Sequence, residues 1–125
     1  MDRAALNSHI AQTYAVAAEY PWMKYPRYAV YRHQSNRKWF AVVMELPCAK
    51  LGLPDDGAID VLNIKCDHQL VGSLLGQCGF FPAYHMSKTN WITVALDGSV
   101  EADTVKWLLD ISFMLTDKKS KTNKR

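Results

Sequence analysis

The stretch "YAVYRHQSNRKWFAVVMEL" (28–46) decides the fold. Two runs, YAVYRH and KWFAVVMEL, are rich in aromatic and β-branched residues and flank the polar segment QSNR (34–37). Such residues suit a pleated, half-buried surface, and a short polar break between two such runs is a hairpin signal. It is the strongest one in the chain. Downstream, CAKLGLPDDGA (48–58) carries a proline and an Asp-Gly turn and reads as a loop. IDVLNIKC (59–66) then reads as a third strand. Its alternation sets Leu62 and Ile64 on one face, against Val61, Asn63 and Lys65 on the other.

Asp67 is placed to N-cap a short helix, HQLVGSLLGQ (68–77), with Gly79 following its end. FFPAYHMSKTN (80–90) reads as a loop or broken edge. WITVAL (91–96) is a fourth strand, with Ile92, Val94 and Leu96 sharing a face. Asp97-Gly98 makes a turn, and Ser99 is the expected N-cap of a last helix whose first turn holds Glu101 and Asp103. Val105, Leu108, Leu109, Ser112 and Leu115 mark its inner stripe, with Trp107 and Phe113 to either side. Upstream of the hairpin, DRAALNSHIAQTYAVAAEY (2–20) has Leu6, Ile10, Tyr14 and Ala17 near helical spacing, and Tyr20-Pro21 is its expected stop. PWMKYPR (21–27), with two prolines, is an ordered but irregular connection.

The order is helix, hairpin, strand, helix, strand, helix. It has more strands than the crossovers of a parallel sheet would serve. The implied class is α+β: a two-layer sandwich with a mainly antiparallel sheet and the N- and C-terminal helices packed on one face. Residues 1–117 form one expected domain, long enough to bury a core without disulfides or metals. Residues 118–125, KKSKTNKR, are expected to be a disordered basic tail.

Charge is unevenly spread. The net +3 divides into +5 for the tail, +5 for residues 24–50, −6 for 51–117 and −1 for 1–23. A basic patch suits an anionic partner, although charged loops are also often just solvated. The three cysteines, Cys48, Cys66 and Cys78, show no CxxC and suit free thiols in a reducing cytoplasm. The opening MDRAALNSHIAQTY lacks the pattern of a signal peptide, and no apolar run approaches the ~20 residues of a membrane span. A cytoplasmic protein is expected, with no membrane partner. Nothing in the sequence sets an oligomeric state.

Chemistry-bearing residues concentrate in AYHMSKTNW (83–91). Lys88 and Lys65 are candidate phosphate contacts. Tyr84, His85, Asn90 and Trp91 are candidate specificity or ligand contacts, through hydrogen bonds to a phosphate or base edge and stacking on an exposed base. The same residues also suit a loop tied to its sheet, with Trp91 covering a helix. In the hairpin, Arg27, Arg32, Arg37 and Lys38 interleave with Tyr28, Tyr31 and Trp39, a composition that suits a nucleic-acid wing and equally a solvated strand. Cys66 with His68 or His85 would make a nucleophile and base, but Cys66 closes an apolar strand and is read as a buried packing residue. His33, His68 and His85 lack metal-ligand spacing, and Gly72, Gly76 and Gly79 make no phosphate loop. No cofactor or metal is expected, and no catalytic constellation is found.

Three features carry a resemblance to a known family: the hairpin with KWFAVV, the passage LNIKCDHQL (62–70), and PAYHMSKTNWITVALDGS (82–99) followed by a helix. In that order they resemble the MmcQ/YjbR family across residues 2–118. The last block follows the family pattern P-x-Y-H-M-N-K-x-x-W-x-T-V-x-L-D-G-S at Pro82, Tyr84, His85, Met86, Lys88, Trp91, Thr93, Val94, Leu96, Asp97, Gly98 and Ser99. It departs at Ser87 and Ile92, and the connection at 47–58 is longer. The resemblance implies a fold similar to CyaY, the bacterial frataxin, and a double-wing DNA-binding role. A frataxin-like iron role would need an acidic ridge on the first helix and strand, where this chain has only Asp2 and Glu19 beside a basic hairpin. The expected function is therefore non-enzymatic duplex DNA binding through Arg32, Arg37, Lys38, Lys65 and Lys88. The alternative is a small-molecule or protein ligand in a pocket beside YHMSKTNW.

Overall fold

The computed structural model describes residues 1–117; the tail expected at 118–125 lies outside the described residues. The elements are α1 (Arg3–Tyr14), β1 (Ala29–Arg32), β2 (Trp39–Pro47), a 3-10 turn (Cys48–Leu51), β3 (Ala58–Lys65), α2 (His68–Leu74), β4 (Phe80–Pro82), β5 (Trp91–Ala95) and α3 (Ala102–Thr116). The strands form one sheet in the order β1-β2-β3-β5-β4, every pair antiparallel. The α+β class holds, with five strands where four were expected. The extra strand is β4, three residues drawn from the segment read as a loop or broken edge.

One face of the sheet carries the helices. Leu62 and Ile64 of β3, and Ile92 and Val94 of β5, meet Leu6 and Ile10 of α1, Val71 and Leu74 of α2, and Val105, Leu108 and Leu109 of α3 in one buried cluster. The alternation expected for both strands is observed. Asp67 caps α2 by accepting from Leu70 N–H at 2.9 Å, as expected.

Three local expectations fail. The first helix stops at Tyr14, not Tyr20, with Ala15 in the left-handed region (φ 58°). The chain beyond turns back, buries Val16, and pairs Glu19 with Val30 through two backbone hydrogen bonds of 2.9 and 2.8 Å. Tertiary pairing thus overrides a helix-prone sequence. Ser99 does not cap α3, since Glu101 occupies that position without a side-chain bond. Ser99 instead gives its hydroxyl and backbone N–H to Asp97 Oδ1, at 2.6 and 2.9 Å, and holds that carboxyl below its usual pKa. The Asp97–Ser99 turn packs on Gly79, where a Cβ would lie 2.5 Å from Val100 Cγ2. On α3, Leu115 is half-buried and Thr116 takes the expected core position.

The hairpin contains a bulge. Tyr31 faces Ala41 and Arg32 faces Trp39, so Phe40 is the extra residue. A bulge shifts the alternation by one. Phe40 and Ala41 both join the helix-side cluster, and Trp39 turns to the other face with Val42 and Met44. Ser112 of α3 stabilises the distortion. Its hydroxyl donates to Phe40 O at 2.6 Å and accepts from Lys65 N–H at 2.9 Å. Beyond the bulge, His33 is buried with Nε2 2.7 Å from Thr116 Oγ1, and Asn36 donates to Thr116 O at 2.9 Å. The hairpin tip is thereby fastened to the last turn of α3.

The second face is not open to water. Val30, Val42, Met44, Leu46 and Val61 form a smaller core, covered by Trp22, Tyr28 and Trp39 on one side and by Tyr84 and Met86 on the other. Two connecting loops therefore serve as a thin third layer.

Candidate functional site

The loop 83–90 is held on this second face by a buried polar clamp. Asn63 and Thr93, both fully buried, face each other across β3 and β5. The Thr93 hydroxyl donates to Asn63 Oδ1, Asn63 Nδ2 donates to Tyr84 O at 3.1 Å, and Tyr84 N–H donates to Thr93 Oγ1 at 3.0 Å. Lys88 adds a bond from Nζ to Ala83 O at 3.0 Å. Trp91 N–H reaches Ser87 O at 3.0 Å, and Cys66 N–H reaches Asn90 O at 2.9 Å. The loop is thus tied at Ala83, Tyr84, Ser87 and Asn90. Between its ties His85 is exposed and left-handed (φ 61°), a conformation uncommon outside glycine, with its ring centroid 4.0 Å from that of Tyr84.

The basic residues gather at one end of the sheet. Both hairpin tips, 33–38 between β1 and β2 and 83–90 between β4 and β5, leave the same end, and β3 finishes between them at Lys65. Lys65 is half-buried opposite Trp91. Trp91 shares the alternation of Thr93, so it lies on the face away from the helices and does not cover one. Lys38, Lys88 and Asn90 are exposed.

The cations are not equally available. Glu19 bridges two of them, with Oε1 3.2 Å from Arg32 Nε and Oε2 3.7 Å from Arg37. Arg27 is held by Glu45 at 3.1 Å and Asp60 at 3.6 Å. Lys38, Lys65 and Lys88 meet no carboxylate within 4 Å among the described residues. Part of the +5 counted over 24–50 is therefore neutralised by acids that the sequence places elsewhere. Tyr31 also leaves the proposed wing. It is buried on the helix side and donates its hydroxyl to Asn7 Oδ1 at 3.0 Å.

Two hollows flank the 83–90 loop. One, of about 180 Å³, is lined by Lys50 and Lys88 with Phe81 and Tyr84. Lys50 was not singled out from the sequence, because it sits in the 3-10 turn, remote in the chain from the loop it faces. The other, of about 260 Å³, has Val42 and Met44 as its floor, Trp22, Tyr25, Tyr28 and Trp39 around it, and His85 with Met86 at one side. Trp22 stands edge-on to Trp39 (5.6 Å, 80°) and Tyr28 (6.1 Å, 78°), and Tyr25 stacks on Tyr28 (4.7 Å, 13°). Burial and the nearby phenols of Tyr84 and Tyr25 raise the Tyr28 pKa. Trp22 and Tyr25 come from PWMKYPR, which reads in sequence as a connection; its aromatic density between two prolines was the available signal.

Cys66 is fully buried, and burial, with a smaller contribution from Asp67, pushes its thiol up to about 11. It is a protonated packing residue at neutral pH. Among the described residues no three His, Cys, Asp or Glu side chains are grouped to hold a metal ion, and no helix is long and apolar enough to cross a membrane.

Comparison with known proteins identifies the fold and the family. The chain is 37% identical over 116 residues to the uncharacterized protein YyaQ of Bacillus subtilis, covering 93% of this chain and 98% of that one. A crystal structure of a Pseudomonas syringae protein superposes with a TM-score of 0.91 at 41% identity, over 93% of this chain and 99% of that one. A Deinococcus radiodurans protein with a DUF419 domain shares the fold at a TM-score of 0.72 and 24% identity, over 98% and 83% of the two chains. The YjbR family model matches residues 11–115, and the chain belongs to the YjbR family.

Proposed function

We propose that this chain is a non-enzymatic domain that binds duplex DNA through phosphates, with the two hairpin tips as paired contacts. The observation that carries the reading is their common placement: tips 33–38 and 83–90 leave one end of one sheet, and the end of β3 lies between them. The tips are three strand spacings apart, about 14 Å, close to the ~12 Å width of a major groove. Lys38 on one tip, Lys88 on the other and Lys65 between them are the leading phosphate contacts, with Arg37 reaching from its ion pair with Glu19. Arg32, half-buried against Glu19, orients the hairpin and adds less. Asn90 and Trp91 are placed to meet base edges or sugar. The last turn of α3 is bonded to the first tip, and the sequence after it, 118–125, carries five further cations.

Fluorescence anisotropy with mixed-sequence duplex DNA tests the reading, using the full chain and a chain ending at Asp117. Four phosphate contacts give a log-log salt slope of about −3.6, or a loss of about 150-fold in affinity from 50 to 200 mM salt. Retained, salt-steep binding by the shorter chain supports the paired tips. Binding that disappears with the tail removes them from the account.

A further inference from the structure

We propose that the aromatic hollow between the 22–28 loop and the 83–90 loop is a binding site for one planar aromatic molecule of one or two fused rings. Two features that also cover the second core build the site. The bulge at Phe40 sends Trp39 away from the helix-side core and into the wall of the hollow. The clamp of Asn63 and Thr93 holds Tyr84, and so sets His85 and Met86 against the same hollow.

Size and chemistry define the ligand. A volume of about 260 Å³ exceeds the ~150 Å³ cavity that accepts benzene and falls just below the ~300 Å³ lower bound of drug-sized pockets. One bicyclic ring fills it. Trp22 meets Trp39 and Tyr28 at right angles, and among the described residues no ring stacks parallel on Trp22 or Trp39. Those indoles are therefore available for the parallel stacking that flat rings favour. The floor is apolar, and two thioethers, Met44 and Met86, adapt to varied ring outlines. No Lys, Arg, Asp or Glu lines the hollow, which selects an uncharged ring system. His85, in its left-handed conformation, supplies a hydrogen-bonding edge for a ring heteroatom. The proposal does not rest on the DNA reading, since none of the cations assigned there touches the hollow.

The test is a titration of the ¹⁵N-labelled full chain with indole and, separately, adenosine, followed at the four tryptophan Nε1–H signals. Saturable shifts of Trp22 and Trp39, with Trp91 and Trp107 still, are expected for at least one probe. Tyr25→Ala, at a half-exposed position whose loss leaves the core intact, should weaken that binding about tenfold, the factor for removing one aromatic wall. Tighter binding of adenosine, lost in His85→Ala, would identify a nitrogen heterocycle as the preferred class; tighter binding of indole would identify an apolar one. The proposal is overturned if neither probe saturates, if all four tryptophans shift in parallel, or if Tyr25→Ala binds as the parent does while its amide spectrum remains that of the folded chain.

Discussion

Thr93→Val exchanges a hydroxyl for a methyl of nearly the same size at a fully buried position in the centre of the sheet. Shape is preserved, so the change isolates hydrogen bonding. Two groups lose their partner together: Tyr84 N–H, which donates to Thr93 Oγ1 at 3.0 Å, and Asn63 Oδ1, which accepts from the same hydroxyl. Each buried group left unsatisfied costs about 1–3 kcal/mol, and the added methyl returns about 1 kcal/mol, so the expected loss is about 1–5 kcal/mol. Against a total stability of roughly 5–15 kcal/mol this is a large fraction. Urea unfolding followed by circular dichroism measures it, with the midpoint expected to fall by about 0.5–2.5 M at unchanged slope, for a slope of about 2 kcal/mol/M. Asn63→Leu belongs to the same clamp, so the double variant should lose less than the sum of the two singles. A midpoint within error of the parent would refute the clamp, as would strict additivity. Tyr84 keeps its bond from Asn63 Nδ2 but loses its N–H anchor, which loosens His85 and Met86, so the ring-binding titration should weaken in Thr93→Val even where the chain is still folded.

Four further outcomes follow from particular contacts. Gly79→Ala places a Cβ against Val100 and Ser99 at a backbone φ of 91° and should destabilise by at least about 2 kcal/mol, whereas Gly57→Ala, with open space around it, should change thermal stability little. His33 has its pKa lowered by burial and by Lys38, opposed by Asp117 and a Phe113 backbone bond. The unfolded chain therefore takes up the proton more readily, so stability should fall as pH drops below about 6.5 and level off above it; His33→Gln should reduce that slope in urea titrations at a series of pH values, leaving the contribution of His9, whose pKa burial and Lys106 also lower. Lys38→Gln should reduce the salt slope of DNA binding by about 0.9, the contribution of one phosphate contact, without altering the melting temperature. In the native state Cys78, the exposed thiol, should react with a thiol-specific reagent well before buried Cys48 and Cys66, and equal rates at all three would contradict the packing around Cys66.

Much of this architecture is local and therefore readable in the sequence. Period-two alternation located the faces of β3 and β5, and Asp67 announced α2, because those signals depend on neighbours within a few residues. The parts that were not readable depend on distant partners. The bulge at Phe40 is completed by Ser112, and without it Trp39 would face the helices. The early end of α1 depends on Val30 accepting Glu19 as a partner. The same Glu19 then occupies Arg32 and Arg37, so a charge count over 24–50 overstates the available field. The motif block 82–99 reads in sequence both as a contact surface and as a loop tied to its sheet, and the ties are observed: Thr93 holds Tyr84, Lys88 bonds Ala83 O, and Asp97 with Ser99 fills the space over Gly79. His85 and Met86 are the members of the block that face the aromatic hollow.

The two ends of the strand order deserve comparison with the requirements of a chain at high concentration. A sheet margin with unpaired amides is a template on which a second chain can add a strand and begin aggregation. At one margin the outer side of β1 is blunted where Glu19 pairs with Val30. At the other, β4 runs for only three residues and ends in Pro82, which has no N–H to offer. The premature end of α1 and the proline that opens the motif block thus also protect the sheet from lateral growth, and hold the chain to its own fold.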